Sequence, residues 1–567
     1  MPESANIARH LPLMAARQPD HPAVKIPRGR LRDGAIDYLT LSFAGLDTEV
    51  DAWVTKLSAR GVQRGDRVLV MVRQGLPLIA AAFALFKLGA VPVIIDPGMG
   101  RKSFLACVAR SRPRVLLGIP FAQLLGYLFR SAFRSVEIRV WVSGSPTTQL
   151  SPQSKIPDRK PEMVASSARD LAAILFTSGS TGAPKGVCYE HGMFDAQVRL
   201  VRDTYGIQPG EVDLPMLPIF ALFNPALGMT TVVPELDPSR PATVDPEKIV
   251  RAIQQEQVTN SFGSPTLWRK ISRHCLANNL TLPSLKRVLL AGAPVPPSLF
   301  ADLQKILPNG TAHSPYGATE SLPVASIAAR EVLDDTAAKT VAGAGTCVGR
   351  PVQEMEIKII AAKDSAIVSL EDARELAVGE IGEIIVRGPV VTREYDDLPA
   401  ATALAKIVNR QSKTINDTWH RMGDLGYLDA AGRLWFCGRK AERVETREGP
   451  LYTEQVEPIF NAHPAVARSA LIGTGHDGRR PAIVVQPVSR EVVATPSLRR
   501  KLVRELRVLG AAHARTDCIR LVYLHPHLPV DVRHNAKIHR LALAQWAVGR
   551  HGYEMDKRDV SPGSLKR

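Results

Sequence analysis

Through the first 300 residues, short apolar runs recur between longer segments in which apolar and polar positions follow a helical spacing. The runs are "DRVLVMV" (66–72), "AVPVIID" (90–96), "PRVLLGI" (113–119), "LAAILFT" (171–177) and "LKRVLLAG" (285–292). Uninterrupted apolar strands alternating with helices predict parallel sheets covered by helices on their faces, an α/β class. The stretch "SGSPTTQLSPQSKIPDRKPEMVASSARD" (143–170) breaks the alternation with Ser, Pro and charge, so it is expected at the surface. From about Gly343 the pattern shortens to "MEIKIIAA" and "GEIGEIIVRGPVV", extended runs divided by glycine turns, which predicts a β-rich segment. A second change follows "FCGRKAERV" and places the main boundary near Arg439, giving residues 1–438 and 439–567 as two domains.

One apolar stretch, "LPLIAAAFALFKLGAVPVIID" (76–96), tests for a membrane span and fails, because Lys87, Gly89 and Pro92 interrupt it before the ~20 apolar residues a span needs. A buried helix, a turn and a core strand are expected instead. A second segment, "LLGYLFRSAFRS" (124–135), mixes aromatic residues with arginines; it reads as a partly buried amphipathic helix, with peripheral contact to a membrane or a partner as the alternative.

Composition narrows the class without naming a chemistry. The 567 residues, 45% hydrophobic and 22% charged, describe a globular chain of more than one domain. Six cysteines without paired spacing, in a chain that opens without an apolar signal core, point to a reducing cytoplasm. Lys plus Arg at 72 against Asp plus Glu at 55 gives a net charge of +17. That excess suits anionic partners, but the basic clusters carry no interleaved aromatic residues for stacking on bases, so no nucleic-acid partner is expected.

The chemistry starts at "FTSGSTGAPKG" (176–186), where Thr177, Ser178, Gly179, Ser180, Thr181 and Gly182 precede Lys185. Such a loop can wrap an anion with backbone amides and hydroxyls. It is not the ordinary P-loop, which sets Gly before the lysine and Ser or Thr after it to hold magnesium; here Pro184 and Gly186 occupy those places. The metal ligand must therefore come from elsewhere. Three further stretches are each explained by turn chemistry when taken alone: "SPYGATE" (314–320), "RMGDLGYLDAAGRLWFCGRK" (421–440) and the basic "DVRHNAKIHR" (531–540).

Their order along one chain is far more specific. Hydroxyl-glycine loop, YGxTE, GD, GR and a late lysine together resemble the adenylate-forming superfamily of acyl-CoA synthetases, adenylation domains and luciferases, over most of the chain. The resemblance implies a large N-terminal domain of two helix-covered sheets plus a β-barrel-like subdomain, and a small mobile α+β C-terminal domain. It further implies ATP and Mg2+ as cofactors. The loop from Thr177 to Gly186 would hold the β- and γ-phosphates with Thr319, and Glu320 would ligate magnesium. Adenine would lie between the backbone at Gly292, Ala293 and Pro294 and the Tyr316–Gly317 segment. Asp424 would accept the ribose hydroxyls beside Arg439, and Lys537 would neutralise charge during attack on the α-phosphate.

Departures from the superfamily pattern narrow the choice. Ala221 stands where a histidine is common, Ala441 fills the hinge position, and Ala536 replaces a glycine before the lysine. "LPIFALFNPALGM" (217–229) and "PVDVRHNAKIHR" (529–540) are similar to a branch that closes β-lactones in bacterial long-chain olefin biosynthesis. That resemblance implies a long 2-alkyl-3-hydroxy acid as substrate, with neighbours in the pathway: a thiolase-like enzyme, a reductase and a hydrolase. Phe220, Ala221 and Phe223 are then candidates for an apolar pocket wall, and His191 for a group facing it, with core packing and a helix-start histidine as the respective alternatives. A fatty-acyl-AMP or acyl-CoA ligase is the competing enzyme, and a non-catalytic nucleotide-binding protein the competing class.

Overall fold

The computed structural model describes residues 4–150, 160–177, 184–237, 240, 243–408, 418–475, 477–530 and 537–554. Four of the apolar runs align in one six-stranded sheet, in the order Ile138–Trp141, Val115–Gly118, Arg67–Met71, Val91–Ile95, Leu171–Thr177 and Lys185–Glu190. The first five strands are parallel and only the last is antiparallel. Parallel strands are covered on both faces and need apolar side chains on both. Val115, Leu116 and Leu117 accordingly have no exposure.

The long apolar stretch forms the helix Leu76–Leu88, a left-handed turn at Gly89 and the strand Val91–Ile95. Lys87, which interrupts its hydrophobicity, is buried and pairs with the equally buried Asp51. Among the described residues no helix is long and apolar enough to cross a membrane.

The second sheet has fourteen strands. Its parallel centre runs through Val212–Asp213, Asn260–Gly263, Arg287–Leu290 and Thr311–Ala318. The β-rich segment continues this sheet: Ser321–Ala328 pairs with Thr346–Pro351, which pairs with Leu434–Arg439 and then Thr418–Leu428. The segment expected as a barrel-like subdomain is thus joined by hydrogen bonds to the parallel centre of the second sheet, around its own core of Val324, Val386, Met422 and Leu434. That continuity sets Asp424 and Arg439 on the same sheet as Tyr316.

Beyond Arg439 the chain builds a four-stranded sheet, Val466–Thr474, Arg480–Pro487, Leu521–Leu524 and Tyr553–Glu554. Its two hydrophobic clusters draw only on residues from Val444 onward. The helix Thr453–Asn461 packs on the strand Leu434–Arg439 at Gly438, where a Cβ would stand 2.3 Å from the Thr453 hydroxyl and φ is 131°. Only glycine permits that approach next to Arg439.

Candidate active site

Three residues at the centre of the second sheet form a tight polar group. The strands Thr418–Leu428 and Leu434–Arg439 pair in a register that sets Asp424 opposite Arg439. Their side chains meet with Arg439 Nη1 2.8 Å from Asp424 Oδ1. From the strand Thr311–Ala318 of the same sheet the Tyr316 hydroxyl donates to Asp424 Oδ2 at 2.6 Å. Burial pushes the Asp424 carboxyl above its ordinary range, while Arg439, Tyr316 and Lys537 push it back and Glu320 adds to the rise. Asp424 Oδ1 is buried and accepts no hydrogen bond among the described residues, because Arg439 lies close without the alignment of one. The oxygen keeps its ion pair with Arg439 and retains lone-pair capacity suited to a ligand hydroxyl.

Thr319 and Glu320 form the two-residue turn of the hairpin between Thr311–Ala318 and Ser321–Ala328. The pairing register shifts by two residues between Tyr316 and Ala318, and at Gly317 a Cβ would lie 2.6 Å from the Ser321 carbonyl oxygen. Only a residue without a side chain lets the hairpin fold back so closely. The turn is braced from two sides. The Tyr189 hydroxyl donates to the Thr319 carbonyl, and the Tyr395 hydroxyl donates to Glu320 Oε1 at 2.7 Å. The Thr392 amide also donates to the Glu320 carbonyl at 2.9 Å.

Neither tyrosine is foreshadowed by a motif. Tyr395 is fixed by its neighbour, since the Asp396 amide donates to Gly186 at 2.7 Å and Arg67 grips the Asp396 carboxylate with two nitrogens, at 2.7 and 3.1 Å. The Lys185 ammonium sits 4.7 Å from the centre of the Tyr395 ring. Cation and aromatic face attract one another there. Behind them Lys406 is wholly enclosed, donating to the Thr392 carbonyl and, at 3.2 Å, to its hydroxyl. Burial, reinforced by Lys185, pushes its amine down to about 7 against the opposing pull of Glu320. The buried His420 is held well below the ordinary imidazole range, mainly by burial and then by Lys406. A lysine inside the apolar run "AATALAKIV" (400–408) was the one sequence signal for this cluster.

The other expected site residues are placed as follows. Gly292, Ala293 and Pro294 form the bend after the strand Arg287–Leu290, with φ 97° at Gly292. Thr177 ends the strand Leu171–Thr177; Ser178, Gly179, Ser180, Thr181 and Gly182 lie outside the described residues. Lys537 reaches the site electrostatically, since its charge lowers the pKa of Asp424. Three residues further on, Arg540 pairs with Glu442 at 2.8 Å and Glu457 at 2.7 Å.

The apolar residues make a connected row. Tyr189 packs on Phe194 (5.1 Å between ring centres), Phe194 on Phe223 (6.4 Å), Phe223 on Phe220 (6.1 Å), and Phe220 stacks on Phe262 at 3.6 Å. The row leads away from the Thr319–Glu320 turn, and Ala221 is buried beside it. A buried polar base fixes this segment: Asn224 donates to Asp213 and Thr231, both at 2.9 Å, and Asn260 donates to Asp213 at 2.6 Å. His191 begins the helix His191–Tyr205 with its ring buried edge-on to Phe86, and Nδ1 accepts from the Ile7 amide at 3.3 Å. Burial lowers its pKa to about 4, so it is neutral near pH 7.

Tyr316, Asp424 and Arg439 thus meet on one sheet, with the charges of Glu320 and Lys537 acting on the same carboxylate. The chain belongs to the AMP-binding enzyme family, whose model matches residues 13–396. It is 46% identical over 548 residues to the olefin beta-lactone synthetase of Xanthomonas campestris pv. campestris, covering 96% of this chain and 97% of that protein. It is 44% identical over 564 residues to the olefin beta-lactone synthetase of Stenotrophomonas maltophilia, covering 98% and 100%. The fold is similar to that of O-succinylbenzoate coenzyme A synthetase from Bacillus subtilis in complex with ATP and magnesium ion (TM-score 0.72, 22% identity, 94% of this chain and 98% of that one).

Proposed function

We propose that this protein is an ATP-dependent ligase that adenylates a long-chain 2-alkyl-3-hydroxy acid and closes it to a β-lactone, releasing pyrophosphate and AMP. The observation that carries the adenylation is the group around Asp424: Tyr316 and Arg439 in contact, with the charges of Glu320 and Lys537 both acting on the same carboxylate. Lactone closure rests on nearly full-length relatives that bear that activity in their name.

In this reading Asp424 Oδ1 takes the ribose hydroxyls, Tyr316 faces the adenine against Gly292–Pro294, and Thr177–Lys185 with Thr319 wraps the phosphates. Glu320 is the protein's magnesium ligand. Among the described residues no group of three His, Cys, Asp or Glu could hold a metal. The donor set fits magnesium all the same, since that ion commonly takes one or two carboxylates and completes its shell with phosphate oxygens and water. Magnesium, when bound, supplies positive charge that neutralises the phosphates. Tyr395 and the Thr392 amide orient Glu320, and Lys537, carried by a lobe hinged beyond Arg439, offsets the charge that builds as the carboxylate attacks.

The Tyr189–Phe194–Phe223–Phe220–Phe262 row supports an apolar substrate wall that excludes water from the acyl adenylate. The substrate's own hydroxyl oxygen then attacks the acyl carbon, the carbon–oxygen bond to AMP breaks, and the hydroxyl proton is released. Holding both groups on one molecule replaces an external acceptor with a high effective concentration. The test is product mass after incubation with ATP, magnesium and a 2-alkyl-3-hydroxy acid, with and without CoA. A product equal to substrate minus water, formed without CoA, is expected; formation of only a CoA thioester overturns the reading.

A further inference from the structure

The helix Pro120–Leu128 is inverted relative to an ordinary surface helix. It buries Ala122, Gln123 and Gly126, its small and polar residues. It exposes Phe121 (61%), Leu124 (52%), Tyr127 (50%) and Leu128 (65%). Phe121, Leu124 and Leu128 stand three, four and seven positions apart, which sets them on one helical face. Trp141, at the end of the adjacent edge strand Ile138–Trp141, is 49% exposed.

The inversion is held in place. Gln123 Nε2 points inward to the Val140 carbonyl at 3.1 Å, and Arg139 bonds the Gln123 and Gly126 carbonyls while lying 4.2 Å from the Tyr127 ring centre. The helix therefore cannot roll its apolar face inward without breaking these bonds.

Charge singles out what would cover this face. From residue 97 to residue 136 the chain has seven Lys or Arg and no Asp or Glu. Arg101, Lys102, Arg130 and Arg134 are exposed. The helix Arg101–Ser111 and the turn after Leu128 share one hydrophobic cluster through Phe104, Cys107, Ala132 and Phe133, so these cations stand in the same layer as the apolar stripe. Aromatic and leucine side chains in the same layer as these exposed cations match the interface of an anionic bilayer, where rings sit among the headgroups and arginines meet the phosphates.

We propose that the face formed by Phe121, Leu124, Tyr127, Leu128 and Trp141 docks the protein peripherally on anionic membrane surface. It would place the enzyme where a long-chain acid is dissolved, a purpose that rests on the function proposed above; the docking itself does not.

The experiment is co-sedimentation of the full-length protein with phosphatidylcholine vesicles, with and without phosphatidylglycerol, in the absence of nucleotide and acid. Binding only to the phosphatidylglycerol vesicles is expected, weakening as salt rises. Arg130→Gln and Arg134→Gln should each lower the partition coefficient roughly fivefold, equivalent to about 1 kcal/mol. Leu124→Ser with Leu128→Ser should abolish binding, while pyrophosphate exchange in detergent-free solution stays at the wild-type rate and shows that the variant is folded. Three results would overturn the proposal: no binding at low salt, binding unaffected by these variants, or a wild-type oligomer that Phe121→Ser converts to monomer, which would make this face a protein interface. Since the vesicle assay involves no catalysis, its failure leaves the proposed reaction untouched.

Discussion

Replacing Asp424 by Asn keeps the size and shape of the side chain and removes its charge, so it isolates what the carboxylate does. Arg439 Nη1 lies 2.8 Å from Oδ1. At an effective dielectric constant of ~20 the bare attraction at that distance is about 6 kcal/mol, largely offset by the cost of burying both groups. Breaking a buried pair from one side costs about 3–5 kcal/mol, and the Arg439 side chain, 30% exposed, places this pair near the low end. Stability alone is therefore a poor readout. The ribose is a better one. Oδ1 is buried and accepts no hydrogen bond among the described residues, so a nucleotide hydroxyl would supply a charge-assisted bond worth about 1.5–3 kcal/mol. The wild type should accordingly bind ATP roughly 10- to 150-fold more tightly than 2′,3′-dideoxy-ATP, where each 1.4 kcal/mol is a factor of ten. Asp424→Asn should lower that ratio at least tenfold. Titration calorimetry below the melting temperature of each protein gives both constants, and partial unfolding cancels in the ratio. A variant that preserves the wild-type preference would show that the hydroxyls are read elsewhere and would refute the assignment.

Other expectations follow from the same geometry. Lys537→Ala should slow ATP–pyrophosphate exchange by about 10²–10³ while changing ATP affinity much less, since a cation aimed at developing charge acts mainly on the transition state; equal losses in both would contradict this. Tyr395→Phe keeps the ring beneath Lys185 and deletes the hydroxyl on Glu320, so the magnesium concentration for half-maximal exchange should rise about tenfold or more, the worth of a charge-assisted bond. His191 has a pKa of about 4 when folded, below the ordinary 6.5. Between those values the unfolded chain binds a proton that the folded chain does not, so stability falls as pH drops from about 6.5 to 4, by about 3 kcal/mol in all. Urea unfolding of His191→Gln at pH 7 and 4.5 should show a smaller acid loss than the wild type; an unchanged loss would exclude His191 as its source.

The sequence by itself determined the parallel sheets, the interruption of the 76–96 stretch, and the order of the motifs that mark the family. These are local properties: an apolar run long enough for a strand, a glycine where a turn must reverse, a hydroxyl-rich loop. The change of pattern at Gly343 was equally legible, yet its destination was not. Whether that segment stood apart or extended the second sheet depended on pairing Ser321–Ala328 with Thr346–Pro351, a register that periodicity does not specify.

Tertiary structure alone decided what braces the Thr319–Glu320 turn. Tyr395 and Glu320 are 75 residues apart and meet because Arg67, on a third segment, anchors Asp396 beside the lysine strand. Lys406 meets Thr392 and feels the charge of Glu320 only once the chain is folded, since the three come from separate segments. The helix at 120–128 makes the same point in reverse. Its sequence spacing shows an apolar face, but Gln123 and Arg139 bonding to backbone carbonyls decide that this face turns outward. Hydrophobic spacing says that a face needs a partner; satisfying the buried hydrogen bonds, residue by residue, determines which side finds one within the fold.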